Sequence, residues 1–119
     1  MVDDQEPVRD LIADVLVADG HDVRTAENGV EALRLLGEQE YDVILSDMMM
    51  PEMDGQQLYD EIVRRWPHIV ARMVFVTAQA EEPSIADFLG RSERQVVEKP
   101  FSVAALRTAL EHAHGPGPA

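Results

Sequence analysis

Tyr41-Asp42-Val43-Ile44-Leu45-Ser46-Asp47-Met48-Met49-Met50-Pro51-Glu52-Met53-Asp54-Gly55 is the stretch on which the fold turns. Its first part is apolar in the middle, at Val43, Ile44 and Leu45, and such a run suits a short strand in a sheet covered on both faces. Asp47 stands where that strand should end. Pro51 and Gly55 then break the backbone before the next helical pattern. In open α/β sheets ligands bind outside the carboxyl ends of the strands, so a carboxylate there lies at the rim of a site. Taken alone, such an aspartate is more often a loop cap. Its company decides.

Before this stretch, Pro7 opens a helical pattern with apolar Val8, Leu11, Ile12, Val15 and Leu16, and Gly20 ends it. Residues 21–26 alternate like a half-buried or edge strand. Asn28 can cap a second helix carrying Val30, Leu33 and Leu36, which stops near Gly37. After Gly55 comes a third helix with Leu58, Tyr59, Ile62 and Trp66 on one face, closed by Pro67. Residues 73–77 form another buried-type strand, and 78–82 read as loop. Pro83 starts a short helix with Ile85, Phe88 and Leu89; having few apolar anchors before Gly90, it is expected to be the most mobile element. Residues 95–98 are a final short strand, and Ser102 can cap a last helix with Val103, Leu106 and Leu110 inside. Strand and helix signals alternate throughout, which implies an α/β fold, a parallel sheet with helices on both faces.

At 119 residues the chain is long enough for one domain with a core and too short for two. Ten basic against 23 acidic side chains leave a formal charge of −13, which argues against direct binding to nucleic acid phosphates or anionic membranes and fits cations or basic partner surfaces. Cysteine is absent, so there is neither a disulfide framework nor a thiolate metal site, compatible with the cytoplasm. No apolar run approaches transmembrane length. Residues 1–114 are therefore read as one domain, and 115–119, Gly-Pro-Gly-Pro-Ala, as a flexible tail or the start of a linker.

Four features fall at strand ends: the pair Asp3-Asp4, then Asp47, Thr77 and Lys99. A parallel sheet gathers its carboxyl ends along one edge, so these residues converge. Three carboxylates at close range repel and need a cation, and hard oxygen ligands suit Mg²⁺ better than zinc or copper. A lysine and a hydroxyl beside them would bind the oxygens of a phosphoryl group, and a held, partly exposed carboxylate can be its nucleophile. Each residue has a plainer reading by itself. The acid pair alone is a solvated turn, Thr77 a strand residue, and Lys99 a surface charge. Met48, Met49, Met50 and Met53 read as loop packing. His21, His68, His112 and His114 read as surface residues, since none falls at the strand-end site.

Together, Asp3-Asp4, the Asp47 stretch with Pro51 and Asp54-Gly55, Thr77 with small Ala78, and Lys99-Pro100-Phe101 resemble the receiver domain of a two-component response regulator, from Val2 to about His112. The resemblance implies a flavodoxin-like, doubly wound, five-stranded parallel sheet in the order 2-1-3-4-5. It implies that Asp47 is the phosphoacceptor, with Thr77 and Lys99 as its catalytic partners. Met48, Thr77, Ala78 and Lys99 would bind the phosphoryl oxygens. Asp3, Asp4 and Asp47, with the Met49 carbonyl, would hold Mg²⁺, Asp3 mainly through water. The Lys99-Pro100 peptide would be cis. The partner would be a histidine kinase or a histidine phosphotransfer domain, meeting the first helix and the loop after Lys99, with Ala13 and Val17 as helix-flank candidates. Phosphorylation should draw Thr77 inward and shift the loop and short helix beyond it.

Two departures from the family pattern stand out. Only Met1 and Val2 precede the acid pair, so the central first strand reads as truncated, with the natural protein extending upstream or a neighbouring molecule lending the strand. Val96 occupies the position three before the lysine, where the family usually has an aromatic switch residue. The segment from Gln95 to Phe101 instead resembles receivers attached to hybrid sensor histidine kinases, which relay phosphate. Other readings are a degenerate receiver serving only as a protein-binding module and, from another class, an aspartate-nucleophile phosphatase. The latter would want an acid where Met49 stands.

Overall fold

Three apolar runs form the strands of the computed structural model, which describes residues 1–50, 52–99 and 101–114. They are β1, Ile44–Asp47, β2, Met73–Thr77, and β3, Gln95–Glu98, all parallel and hydrogen-bonded in the order β1-β2-β3. Ile44 pairs with Met73 and Val74 with Gln95. Every residue of β1 and β2 is buried, the mark of strands covered on both faces, whereas in β3 only Val97 is buried. The helices are α1, Glu6–Ala18, α2, Gly29–Glu38, α3, Gly55–Arg65, α4, Pro83–Ser92, and α5, Val103–His114, with a 3₁₀ helix at Pro67–Arg72.

Successive strand side chains point to opposite faces, and this divides the core in two. Ile44, Met73 and Phe75 pack with Leu33, Leu58, Ile62 and Phe88 from α2, α3 and α4. Leu45, Val74 and Val76 pack with Ile12, Leu16, Leu106 and Leu110 from α1 and α5. Burying one such side chain contributes about 1.5–3 kcal/mol, so the two layers are the main source of stability. The inner stripes are narrower than the sequence pattern suggests. Leu11, Val30 and Val103 are exposed, because a helix lying on a sheet buries only the residues nearest its line of contact. In α5 the small Ala109 joins Leu106 and Leu110 instead. The fourth helix runs through Gly90 to Ser92 and closes at Glu93, whose φ of 56° is left-handed.

The other side of β1 departs from the five strands expected. Among the described residues there are three strands and, beyond β1, two isolated parallel bridges, Val2 to Ser46 and Val2 to Ala26. Spatially the order is Ala26, Val2, β1, β2, β3. Residues 21–25 do not form the expected strand: a ladder needs a run of paired residues, and among the described residues only Ala26 bridges to Val2. What exists is well made: Val2 N–H donates to Leu45 O at 2.7 Å, Asp47 N–H to Val2 O at 2.9 Å, and Asp3 N–H to Ala26 O at 3.1 Å. The Met1 ammonium donates to Arg24 O at 2.9 Å, and burial lowers its pKa to about 6. Beside it opens a cleft of about 670 Å³, lined among others by Leu16, Val23, Val43, Leu45 and Leu110. This cleft lies at the amino ends of the strands, away from Asp47.

Candidate functional site

Asp47 ends β1 almost wholly buried, and its Oδ1 accepts hydrogen bonds from the amides of Met48 at 2.7 Å and Met49 at 3.4 Å. The loop beyond it is held close by Gly55. Gly55 N–H donates to Met48 O at 2.9 Å, and a Cβ on Gly55 would sit 2.5 Å from Asp47 O. Asp54 fixes this register by capping α3: its carboxylate accepts from Gln57 N–H at 2.9 Å while Gln57 Oε1 accepts from Asp54 N–H at 3.0 Å.

Asp3 follows the bridged Val2 and is fully buried. Its Oδ1 accepts from Gln5 N–H at 2.9 Å, turning the chain into α1, and its main-chain oxygen accepts from Arg9 Nη1 at 3.0 Å. The other carboxylate oxygen meets Lys99, whose Nζ lies 3.0 Å from Asp3 Oδ2 and 3.3 Å from Asp47 Oδ2. Lys99 is aimed there from the end of β3, its N–H donating to Thr77 O at 2.8 Å. Asp4 is exposed beside the pair, and one carboxylate oxygen from each of Asp3, Asp4 and Asp47 falls within a 4.8 Å cluster. One lysine faces three acids. Burial raises the Asp47 pKa and Asp3 adds to the rise, while Lys99 and the Met49 amide pull it back without cancelling it. An all-oxygen acidic cluster with one exposed member fits a hard divalent cation such as Mg²⁺, so these donors suit the expected cofactor.

Asp3, Asp4, Asp47 and Lys99 are thus brought together. Thr77 is buried at the end of β2, but its hydroxyl is engaged with Gln79: Oγ1 accepts from Gln79 N–H at 3.0 Å and donates to Gln79 Oε1 at 3.2 Å. Ala78 follows it, exposed. The Met48 side chain is buried and its amide is taken by Asp47, while Met49 is 53% exposed at the mouth of the site. Pro51 and the Lys99-Pro100 peptide lie outside the described residues, as do 115–119. Sequence reasoning missed Arg9 on the Asp3 carbonyl and the close approach at Gly55. The glycine directly after a helix-capping aspartate was the only signal for the second.

The profile of the response regulator receiver domain matches residues 1–111. The chain belongs to this family. Its relatives include both response regulators and sensor kinases. The receiver domain is 33% identical over 113 residues to transcriptional regulatory protein GlrR of Escherichia coli K12, covering 95% of this chain and 25% of that protein. It is 34% identical over 113 residues to sensor kinase CckA of Brucella abortus, covering 93% and 12%. The chain therefore spans a quarter or less of these relatives. Among solved structures, the receiver domain of Francisella response regulator 1452 superposes with a TM-score of 0.80 at 27% identity, covering 97% of this chain and 93% of that one. The receiver domain accordingly has the flavodoxin-like arrangement of parallel sheet and flanking helices. None of its described helices is long and apolar enough to cross a membrane.

Proposed function

We propose that this receiver domain accepts a phosphoryl group on Asp47 from a phosphohistidine of a histidine kinase or a histidine phosphotransfer domain. The observation that carries the reading is the meeting of Asp3, Asp47 and Lys99 at one sheet edge, with Lys99 Nζ 3.0 and 3.3 Å from the two carboxylates. Two amides hold Asp47 Oδ1, which leaves Oδ2 as the nucleophilic oxygen. As the P–O bond to Oδ2 forms, the P–N bond to the donor ring breaks, and the leaving imidazole takes up a proton. The product is an acyl phosphate. Lys99, already turned toward Oδ2, neutralises the incoming oxygens, and the Thr77 hydroxyl and the Ala78 amide donate to them, joined by the Met48 amide once it leaves Asp47 Oδ1. Asp3, Asp4 and Asp47, with the Met49 carbonyl, would hold Mg²⁺, which supplies positive charge against the phosphoryl oxygens and the crowded acids. The domain signals and turns over no substrate of its own. The match to a sensor kinase and the presence of Val96 in place of an aromatic ring support a relay role within a cytoplasmic hybrid kinase.

Incubation with acetyl phosphate and Mg²⁺, read by intact mass, tests this. The expected result is one phosphate adduct that is lost in Asp47→Asn and without Mg²⁺. No adduct under any condition would leave the domain a protein-binding module.

We also propose that the sheet takes the order 2-1-3-4-5 once extended residues fill the cleft beside Met1. Fusing four β-branched residues ahead of Met1 should slow hydrogen exchange in 22–25, where strand amides would gain carbonyl partners. Unchanged exchange there would refute it.

A further inference from the structure

We infer that Gln79 is a positioning residue: its side-chain carbonyl holds the Thr77 hydroxyl proton and thereby sets how readily Thr77 turns to a phosphoryl oxygen. The inference rests on the phosphoacceptor reading above. A hydroxyl has one proton to donate. In Thr77 that proton goes to Gln79 Oε1 at 3.2 Å, while Gln79 N–H donates back to Oγ1 at 3.0 Å. Thr77 is fully buried, so the hydroxyl cannot fall back on bulk water, and an unpaired buried donor is unfavourable. A phosphoryl oxygen that takes this bond must displace the Gln79 carbonyl, which is exposed and can be rehydrated.

The displacement reaches further than one side chain. Gln79 O accepts from Glu82 N–H at 3.0 Å, and Glu82 caps α4 by accepting from Ile85 N–H at 3.3 Å. When Thr77 turns, Gln79 N–H also loses its Oγ1 acceptor, which frees the start of the turn that leads into α4. With Val96 at the usual ring position, this short path joins Thr77 to α4 without an aromatic rotamer.

The backbone half of the contact survives any side chain at position 79, so substitution isolates the carbonyl. Gln79→Met keeps length and bulk and removes the acceptor. The probe is beryllofluoride, a phosphoryl mimic, titrated in Mg²⁺ and followed by the amide resonance of Ala78. Gln79→Met is expected to bind it about two- to tenfold more tightly than the unmodified chain, the worth of one neutral hydrogen bond. In a Thr77→Ala background the same substitution should change nothing. Equal affinity of Gln79→Met and the unmodified chain, or a gain that persists without the Thr77 hydroxyl, would overturn the inference and leave the phosphoacceptor reading intact. Failure of the unmodified chain to bind beryllofluoride at all would overturn both.

Discussion

Lys99→Met is expected to cost about 3 kcal/mol of stability at neutral pH, a fall in Tm of roughly 10 °C, because it strips the cation from two buried carboxylates. Removing one member of a buried ion pair typically costs about 3–5 kcal/mol. The low end applies here, since the Lys99 side chain is 14% exposed and water reaches the rim. The sign of the pH dependence follows from Asp47. Its folded pKa lies above the usual carboxylate value, so its contribution is fully present below the unfolded pKa and is lost as pH rises through the folded one. Lys99 opposes that rise, and without it the folded pKa climbs further. The gap in stability between Lys99→Met and the unmodified chain should therefore be widest at neutral pH. It should narrow as pH falls into the carboxylate range, where Asp47 is protonated in both. Millimolar Mg²⁺ should recover part of the loss if Asp3, Asp4 and Asp47 hold it. Urea titrations at several pH values check this; a gap independent of pH would show that the lysine acts through packing alone.

Gly55→Ala should be nearly as damaging, against the direction that helix propensity alone predicts. Alanine in place of glycine within a helix is worth up to about 1 kcal/mol in its favour. At Gly55 the new methyl would lie 2.5 Å from Asp47 O and 2.9 Å from Met48 Cα, both main-chain atoms that no rotamer change can remove. Overpacking of this kind costs about 1–3 kcal/mol, and either α3 or the Asp47 loop must retreat. A retreat of the loop also misaligns Asp47 with Lys99. We expect a net loss of about 2 kcal/mol by urea denaturation, together with slower adduct formation from acetyl phosphate. Unchanged stability would mean that α3 shifts without strain. Unchanged adduct formation alongside lost stability would mean that the loop holds and α3 gives way.

Much of the architecture was legible before any coordinates. The apolar runs at 43–45 and 73–76, the caps Asn28 and Ser102, and the breakers Pro67 and Pro83 are local signals with local causes, and they located the strands and helices in the right order. The inner face of each helix was read less well. Leu11, Val30 and Val103 match the helical period yet face solvent, because period does not say where a flat sheet meets a helix. The run from His21 to Ala26 alternates like a strand and mostly is not one, since a strand is a property of two partners, and among the described residues only Ala26 bridges to Val2.

The sequence by itself determined which chemical groups reach the strand ends, because alternating strand and helix signals place Asp3, Asp4, Asp47, Thr77 and Lys99 along one edge of a parallel sheet. Only the tertiary structure decided how those groups share their hydrogen bonds. Lys99 lies between two carboxylates, Asp47 Oδ1 is tied to its own loop, the Thr77 hydroxyl is given to Gln79, and Gly55 presses on the Asp47 carbonyl. Periodicity and caps are set by neighbours along the chain. A distance near 3 Å between side chains far apart in sequence is set only once the two core layers have packed and fixed the strand register.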